Sequence, residues 1–184
     1  MWAQDIAHAQ LAGSMRDRWA HVSSVAAEAS RISRLFGDEG SLLVASAWLH
    51  DVGYAPSLSA SGFHPVDGAR FLAEAGGSTR LCALVARHSC AIREAALRGR
   101  REDVEAYVDE ASPLRDALWY CDMVTGPRGQ RFTVDERLAE IGVRYGVESV
   151  VGRFIVEARA DLIGAVDRTL LRMEDAGIAL PQDD

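Results

Sequence analysis

The chain has 184 residues, a net charge of −7 and 20 basic residues, every one an arginine. With 48% hydrophobic and 26% charged residues, this length suits one domain with a sizeable core and excludes disorder over most of the chain. The acidic balance excludes a general binder of nucleic-acid backbone, and the lack of lysine excludes any mechanism that needs a catalytic lysine.

The opening MWAQDIAHAQ has neither a basic n-region nor an apolar h-region, so no signal peptide is expected. The most apolar stretch, SLLVASAWLH at 41–50, is far shorter than the ~20 residues that span a bilayer. Cys82, Cys90 and Cys121 are an odd number without a CxxC, which fits a reducing compartment. A cytoplasmic protein with no membrane partner is expected. Helical periodicity dominates from end to end, and no run alternates long enough to argue a sheet.

Ser14 to Asp17 reads as a capping box. It opens a helix through Trp19, Val22, Val25, Ala26, Ile32 and Phe36 that Gly37 stops. The next helix, about 41–51, is apolar nearly all round, as a central buried helix is, and Gly53 is expected to end it. A loop follows from Tyr54 to Phe63. His64-Pro65 opens a helix that runs to Gly76-Gly77, with proline at the first helical position. Ser78 caps a helix over about 79–89. Two short polar helices near 91–98 and 101–110 read as a surface excursion. Ser112-Pro113 opens a helix to about Thr125, and Gly126 to Gly129 form a loop. Thr133 to Glu136 is a capping box for a helix to about Tyr145. The last helix, about 147–174, carries Val151, Phe154, Ile155, Ala158, Leu162, Val166, Leu170 and Met173 at helical spacing. That stripe suits a core or a homodimer contact. Residues from Leu180 to Asp184 are expected to fray. The predicted architecture is a single all-α domain of seven to nine helices over 1–184, with a ligand-bearing core at about 15–145.

His50-Asp51 ends the most apolar helix, where a carboxylate must meet water, a cation or a metal. Asp122 shares a face with Leu118 and Trp119. His88 shares one with Leu81, Leu84 and Val85, and His21 one with Val25 and Arg18. His64 stands at a helix entrance. Each alone reads as a satisfied core residue. Together, imidazoles and carboxylates without thiolates suit Fe, Mn, Co, Ni or Zn in a catalytic site more than a closed structural zinc.

The order His21, His50-Asp51, Asp122, with the strings RWAHVSSVA, ASAWLHDVGY, GFHPVDGARFL, LVARHSC and ALWYCDMVTGP, resembles the HD-domain superfamily of metal-dependent phosphohydrolases. The resemblance implies that His21, His50, Asp51 and Asp122 hold one metal. It implies that His64 and His88 complete a second site, with Asp51 as the bridging carboxylate. Asp51 and His50 are the candidate catalytic residues. Small diadenosine tetraphosphate hydrolases of the HD type share this layout, as do some HD-type di-iron oxygenases. Val-Gly-Tyr after the HD pair departs from the HDxxED of guanosine tetraphosphate hydrolases, and the missing lysine departs from an inositol-oxygenase-like pocket.

Arg18, Arg87, Arg128 and Arg131 lie close to the ligands in sequence and are the candidate phosphate-binding forks. Cys121, Trp48 and Trp119 read as core. The expectation is a hydrolase of a small phosphorylated molecule, first of all a nucleotide, working through metal-activated water with one or two divalent transition metals. The alternatives are an oxygenase with the same ligands and a non-catalytic metal-containing regulatory module.

Overall fold

A computed structural model describes residues 2–180. No strand occurs among them. The helices are α1 (Trp2–Ala7), α2 (Arg16–Ile32), α3 (Gly40–Leu49), α4 (His64–Glu74), α5 (Thr79–Arg87), α6 (Ala91–Leu97), α7 (Arg101–Glu105), α8 (Pro113–Met123), α9 (Val134–Tyr145) and α10 (Val150–Asp175). The all-α expectation holds. The expected fraying from Leu180 to Asp184 falls largely on 181–184, outside the described residues.

Most boundaries follow from local chemistry. The Ser78, Ser112 and Ser149 hydroxyls accept from the backbone amides of Leu81, Arg115 and Gly152, and Thr133 with Glu136 forms a full capping box. Each satisfies amides that the first helical turn leaves without partners. Ser14 does not cap α2. Its hydroxyl donates to the Gln10 carbonyl, because residues 8–12 already form a short π-helical turn. Gly37 (φ 51°) breaks the chain inside a 3₁₀ segment, Ser33–Glu39, that follows α2.

α3 is the centre, touching α1, α2, α5 and α8. That is why it carries apolar residues on every side. α10 packs its stripe against α8 and α9, with Phe154, Ile155, Ala158, Leu162, Val166 and Met173 buried. The stripe therefore serves the chain's own core. α6 and α7 are not a mere surface excursion: Ala91, Ala95 and Val104 close around Phe63 and Val66. Their polar residues other than the buried Glu94 lie mainly on the outer faces. No described helix is long and apolar enough to cross a membrane.

Candidate metal centre

His50 and Asp51 leave the C-terminal end of α3 almost fully buried, at 0% and 3% exposure. A 3₁₀ turn, Val52–Tyr54, folds them back against the first turn of α4. Gly53 permits this approach, since a Cβ there would lie 2.1 Å from the His64 carbonyl oxygen and 2.5 Å from the Gly68 nitrogen. α3 has already ended at Leu49, so Gly53 serves contact between elements and not helix termination.

The approach sets His64 Nε2 3.2 Å from Asp51 Oδ1, and the end of α5 sets His88 Nε2 3.6 Å from the same oxygen. The other oxygen, Oδ2, faces His50 Nε2 at 3.4 Å and His21 Nε2 at 3.6 Å. Asp122 arrives on α8, with Oδ1 3.2 Å from His21 Nε2 and 4.0 Å from His50 Nε2. Two compact groups result, His21 with His50 and Asp51, and Asp51 with His64 and His88. Asp51 belongs to both, with one oxygen toward each. Asp122 lies just beyond the first group and touches it through His21.

The tautomers are fixed from outside. His21 Nδ1 donates to the Gly126 carbonyl at 3.0 Å, His50 Nδ1 to Ala47 at 2.8 Å and His88 Nδ1 to Val85 at 2.6 Å. In the neutral imidazole each bond leaves an Nε2 lone pair pointing inward. Nε2 of His21 and His50 then stand 3.3 Å apart, and Nε2 of His64 and His88 3.2 Å apart. Facing lone pairs repel unless a proton or cation lies between them, and backbone carbonyls that accept from the far ring nitrogen are what metal-ligating histidines use. The donor set fits divalent metal ions.

The charges agree. Burial opposes ionisation of Asp51, but Arg18 and His50 hold it well below the usual carboxylate range; His21 and His50 do the same for Asp122. Burial opposes charge on His50, yet Asp51 and Asp122 outweigh it and lift the imidazole to about 9. Burial wins at His64, which falls to about 4 despite Asp51. Burial also raises the Cys121 thiol, in keeping with its core role.

The cluster forms the floor of a cleft of about 280 Å³. Of the four arginines singled out in the sequence, only Arg18 lines it. Arg18 donates to Asp51 Oδ2 and lies 4.0 Å over the Tyr54 ring. Arg87 points elsewhere, donating to the Tyr107 carbonyl at 2.6 Å. Arg128 is exposed on the loop. Arg131 joins a buried group behind the site, reaching the Tyr120 hydroxyl at 3.2 Å and Glu28 at 3.5 Å. The cleft instead takes Arg98, just past the end of α6, and Arg137 and Arg144 from α9. Arg137 is 4% exposed, pairs with Glu140 and keeps its Nε without an acceptor. Its register with Val134 and Ile141 was the available signal, because that spacing puts it on an apolar inward face.

Ser89 was also missed. Its hydroxyl donates to Asp122 Oδ2, leaving Oδ1 for His21. Ser89 (φ 46°) and Cys90 (φ 61°) are both left-handed, a conformation that costs a non-glycine residue about 1–2 kcal/mol. The turn is held there by the contacts of His88 and Ser89.

The sequence model of the HD domain matches residues 18–117. This segment holds His21, His50, Asp51, His64 and His88, and stops five residues short of Asp122. No curated protein and no solved structure matches the chain. The matched segment covers more than half of the sequence, its all-α architecture agrees, and its buried histidines and aspartates converge as described: the chain belongs to the HD-domain family.

Proposed function

We propose that the protein is a metal-dependent hydrolase of a small phosphorylated molecule such as a nucleotide. The observation that carries this reading is Asp51, whose two oxygens each face a pair of imidazole Nε2 atoms beneath an arginine-lined cleft. In this reading His21, His50, Asp51 and Asp122 hold one ion, and Asp51, His64 and His88 hold a second. Ions held there supply Lewis acidity and activation of water at neutral pH.

The chain's own residues do the rest. Asp51 fixes the spacing of the two sites, and His50 and Asp51 are the proposed catalytic pair. Arg18 neutralises Asp51 and stacks over Tyr54 in the cleft wall. Arg137 turns donors toward phosphate oxygens, with Arg98 and Arg144 at the sides, since guanidinium matches phosphate geometry in a bidentate fork. Met123, Ile141, Phe154 and Ile155 give the cleft an apolar wall that excludes water and receives the non-phosphate part of the substrate. α9 and α10, both beyond the matched segment, supply much of this wall. That supports the whole chain acting as one unit.

The deciding experiment is turnover of a panel of phosphomonoesters, nucleotides and dinucleoside polyphosphates with Mn, Co, Ni or Fe, in air and under anaerobic conditions. Phosphate or nucleotide release that persists without oxygen is expected. Oxygen uptake coupled to cleavage, with no anaerobic turnover, assigns the oxygenase activity instead. Metal binding with no turnover of any substrate assigns a regulatory module.

Metal loading should also be linked to pH. A proton sits on the His50 imidazole below about pH 9 in the metal-free protein, and an ion at the His21/His50 site must displace it. Affinity at that site should rise roughly tenfold per pH unit between about 6 and 9. His64 is uncharged above about pH 5, so it adds no such slope at the second site. Calorimetry in buffers of different ionisation enthalpy reads the released proton. A pH-independent affinity at both sites would refute the assignment of His50 as a ligand.

Ser89→Ala should cost about 10–100-fold in affinity for the first ion, the usual effect of losing a group that orients a ligand. Unchanged metal content in Ser89→Ala would show that Asp122 needs no such support.

A further inference from the structure

A second cavity, about 500 Å³, lies against the other faces of α6 and α10. Five helices each bring one arginine to it: Arg87 from α5, Arg93 from α6, Arg101 from α7, Arg115 from α8 and Arg168 from α10. Four of these are spent on carboxylates. Arg93 donates to Asp161 at 2.8 Å and Arg101 to Glu105 at 2.7 Å. Arg115 binds Asp109 at 2.8 Å and Asp116 at 3.0 Å, and Arg168 binds the same Asp116 at 2.7 Å. Arg87 makes no ion pair among the described residues. Its Nε is satisfied by the Tyr107 carbonyl, which leaves four of its five N–H donors. Glu157 is the acidic lining residue that makes no ion pair among the described residues.

Two more donors in the same wall lack acceptors. Arg115 Nε and Trp119 Nε1 are buried without a hydrogen-bond partner, and the Arg115 guanidinium lies 4.7 Å over the Trp119 ring. A buried donor left unpaired costs about 1–3 kcal/mol. A ligand with several acceptor oxygens takes up the free Arg87 donors and, with a small shift of the two side chains, relieves that cost at Arg115 and Trp119. A phosphate group offers one more acceptor oxygen than a carboxylate, so Arg87, Arg115 and Trp119 can each have an oxygen of their own.

We propose that this cavity is a second anion site, separate from the metal cleft, for a small phosphate-bearing molecule held by Arg87, Arg115 and the Trp119 indole. The site adjoins the metal centre through one turn. His88 and Ser89 line the cleft while Cys90 lines the second cavity, and both Ser89 and Cys90 are in the left-handed conformation. An occupant therefore sits against the turn that carries His88.

The test is titration of the protein as purified with inorganic phosphate, read by calorimetry and by the indole N–H resonances of its four tryptophans, with Trp119 assigned through Trp119→Phe. Saturable binding below about 20 mM is expected, with a moving Trp119 indole signal. Arg87→Gln should weaken the response about tenfold or more, and Arg137→Gln, which alters only the cleft, should leave it in place. Arg101 is 64% exposed, so Arg101→Gln leaves the fold intact and should weaken binding about two- to threefold, by loss of one nearby screened charge. A Trp119 signal that phosphate does not move overturns the proposal. So does a response that Arg137→Gln abolishes while Arg87→Gln and Arg101→Gln leave it unchanged.

Discussion

Asp51→Asn should leave the protein without both metals and reduce turnover by about 10³-fold or more. The carboxylate presents one oxygen to His21 and His50 and the other to His64 and His88. An amide offers a single weak acceptor and a donor in place of the second oxygen, so neither ion keeps its shared ligand. A metal ion contributes several kcal/mol of transition-state stabilisation, and every 1.36 kcal/mol is a factor of ten in rate. His88→Ala touches only the second group and should release one ion while keeping the other. Metal analysis of the two variants checks the bridge directly: equal losses in both would argue against a shared carboxylate. Stability should follow metal content. Ions bound only to the native state add about 4 kcal/mol at a thousandfold excess over Kd. For a chain of this size that is roughly 10 °C in Tm. A chelator should lower the wild-type Tm by that amount and Asp51→Asn by almost nothing.

The second large effect is expected at Arg137. It is buried in the cleft wall, is anchored by Glu140 and has an Nε without an acceptor. Hydrogen bonds to charged groups are worth about 1.5–3 kcal/mol, so Arg137→Gln should raise KM by roughly 10–100-fold with metal content unchanged. Arg144 is more exposed, shares Glu140 and rests over the Tyr145 ring. Arg144→Gln should give a smaller rise, which controls for damage to α9. Arg128→Ala, by contrast, should leave KM unaltered, because Arg128 lies outside the cleft. A wild-type KM in Arg137→Gln would remove the arginine wall from the reading.

Much of the fold was legible residue by residue. Caps such as Ser78, Ser112 and Thr133 act within one turn, so their partners are neighbours in sequence. α3 announced its central place because a helix touched on all sides needs apolar residues on all sides. Ser14 misled because α2 starts one residue later, with Met15 at its N-cap, and the Ser14 hydroxyl faces back to the Gln10 carbonyl at the end of the N-terminal helical segment.

The six proposed ligands were legible for a similar reason. Each is a polar group on an apolar face or at a helix end, and burial demands a partner for it. The arginines were not legible, since proximity along a helix is not proximity in space. Successive residues point about 100° apart, so Arg87 turns to Tyr107 and the second cavity while His88 turns to Asp51. Arg137 comes from another helix altogether, and only the packing of α9 against α10 and α8 brings it into the cleft wall. Local rules set each helix and each inward group from the sequence alone. Which cation faces which carboxylate, and which donors remain without acceptors, was decided by tertiary packing, because those contacts join residues that no local interaction ties together.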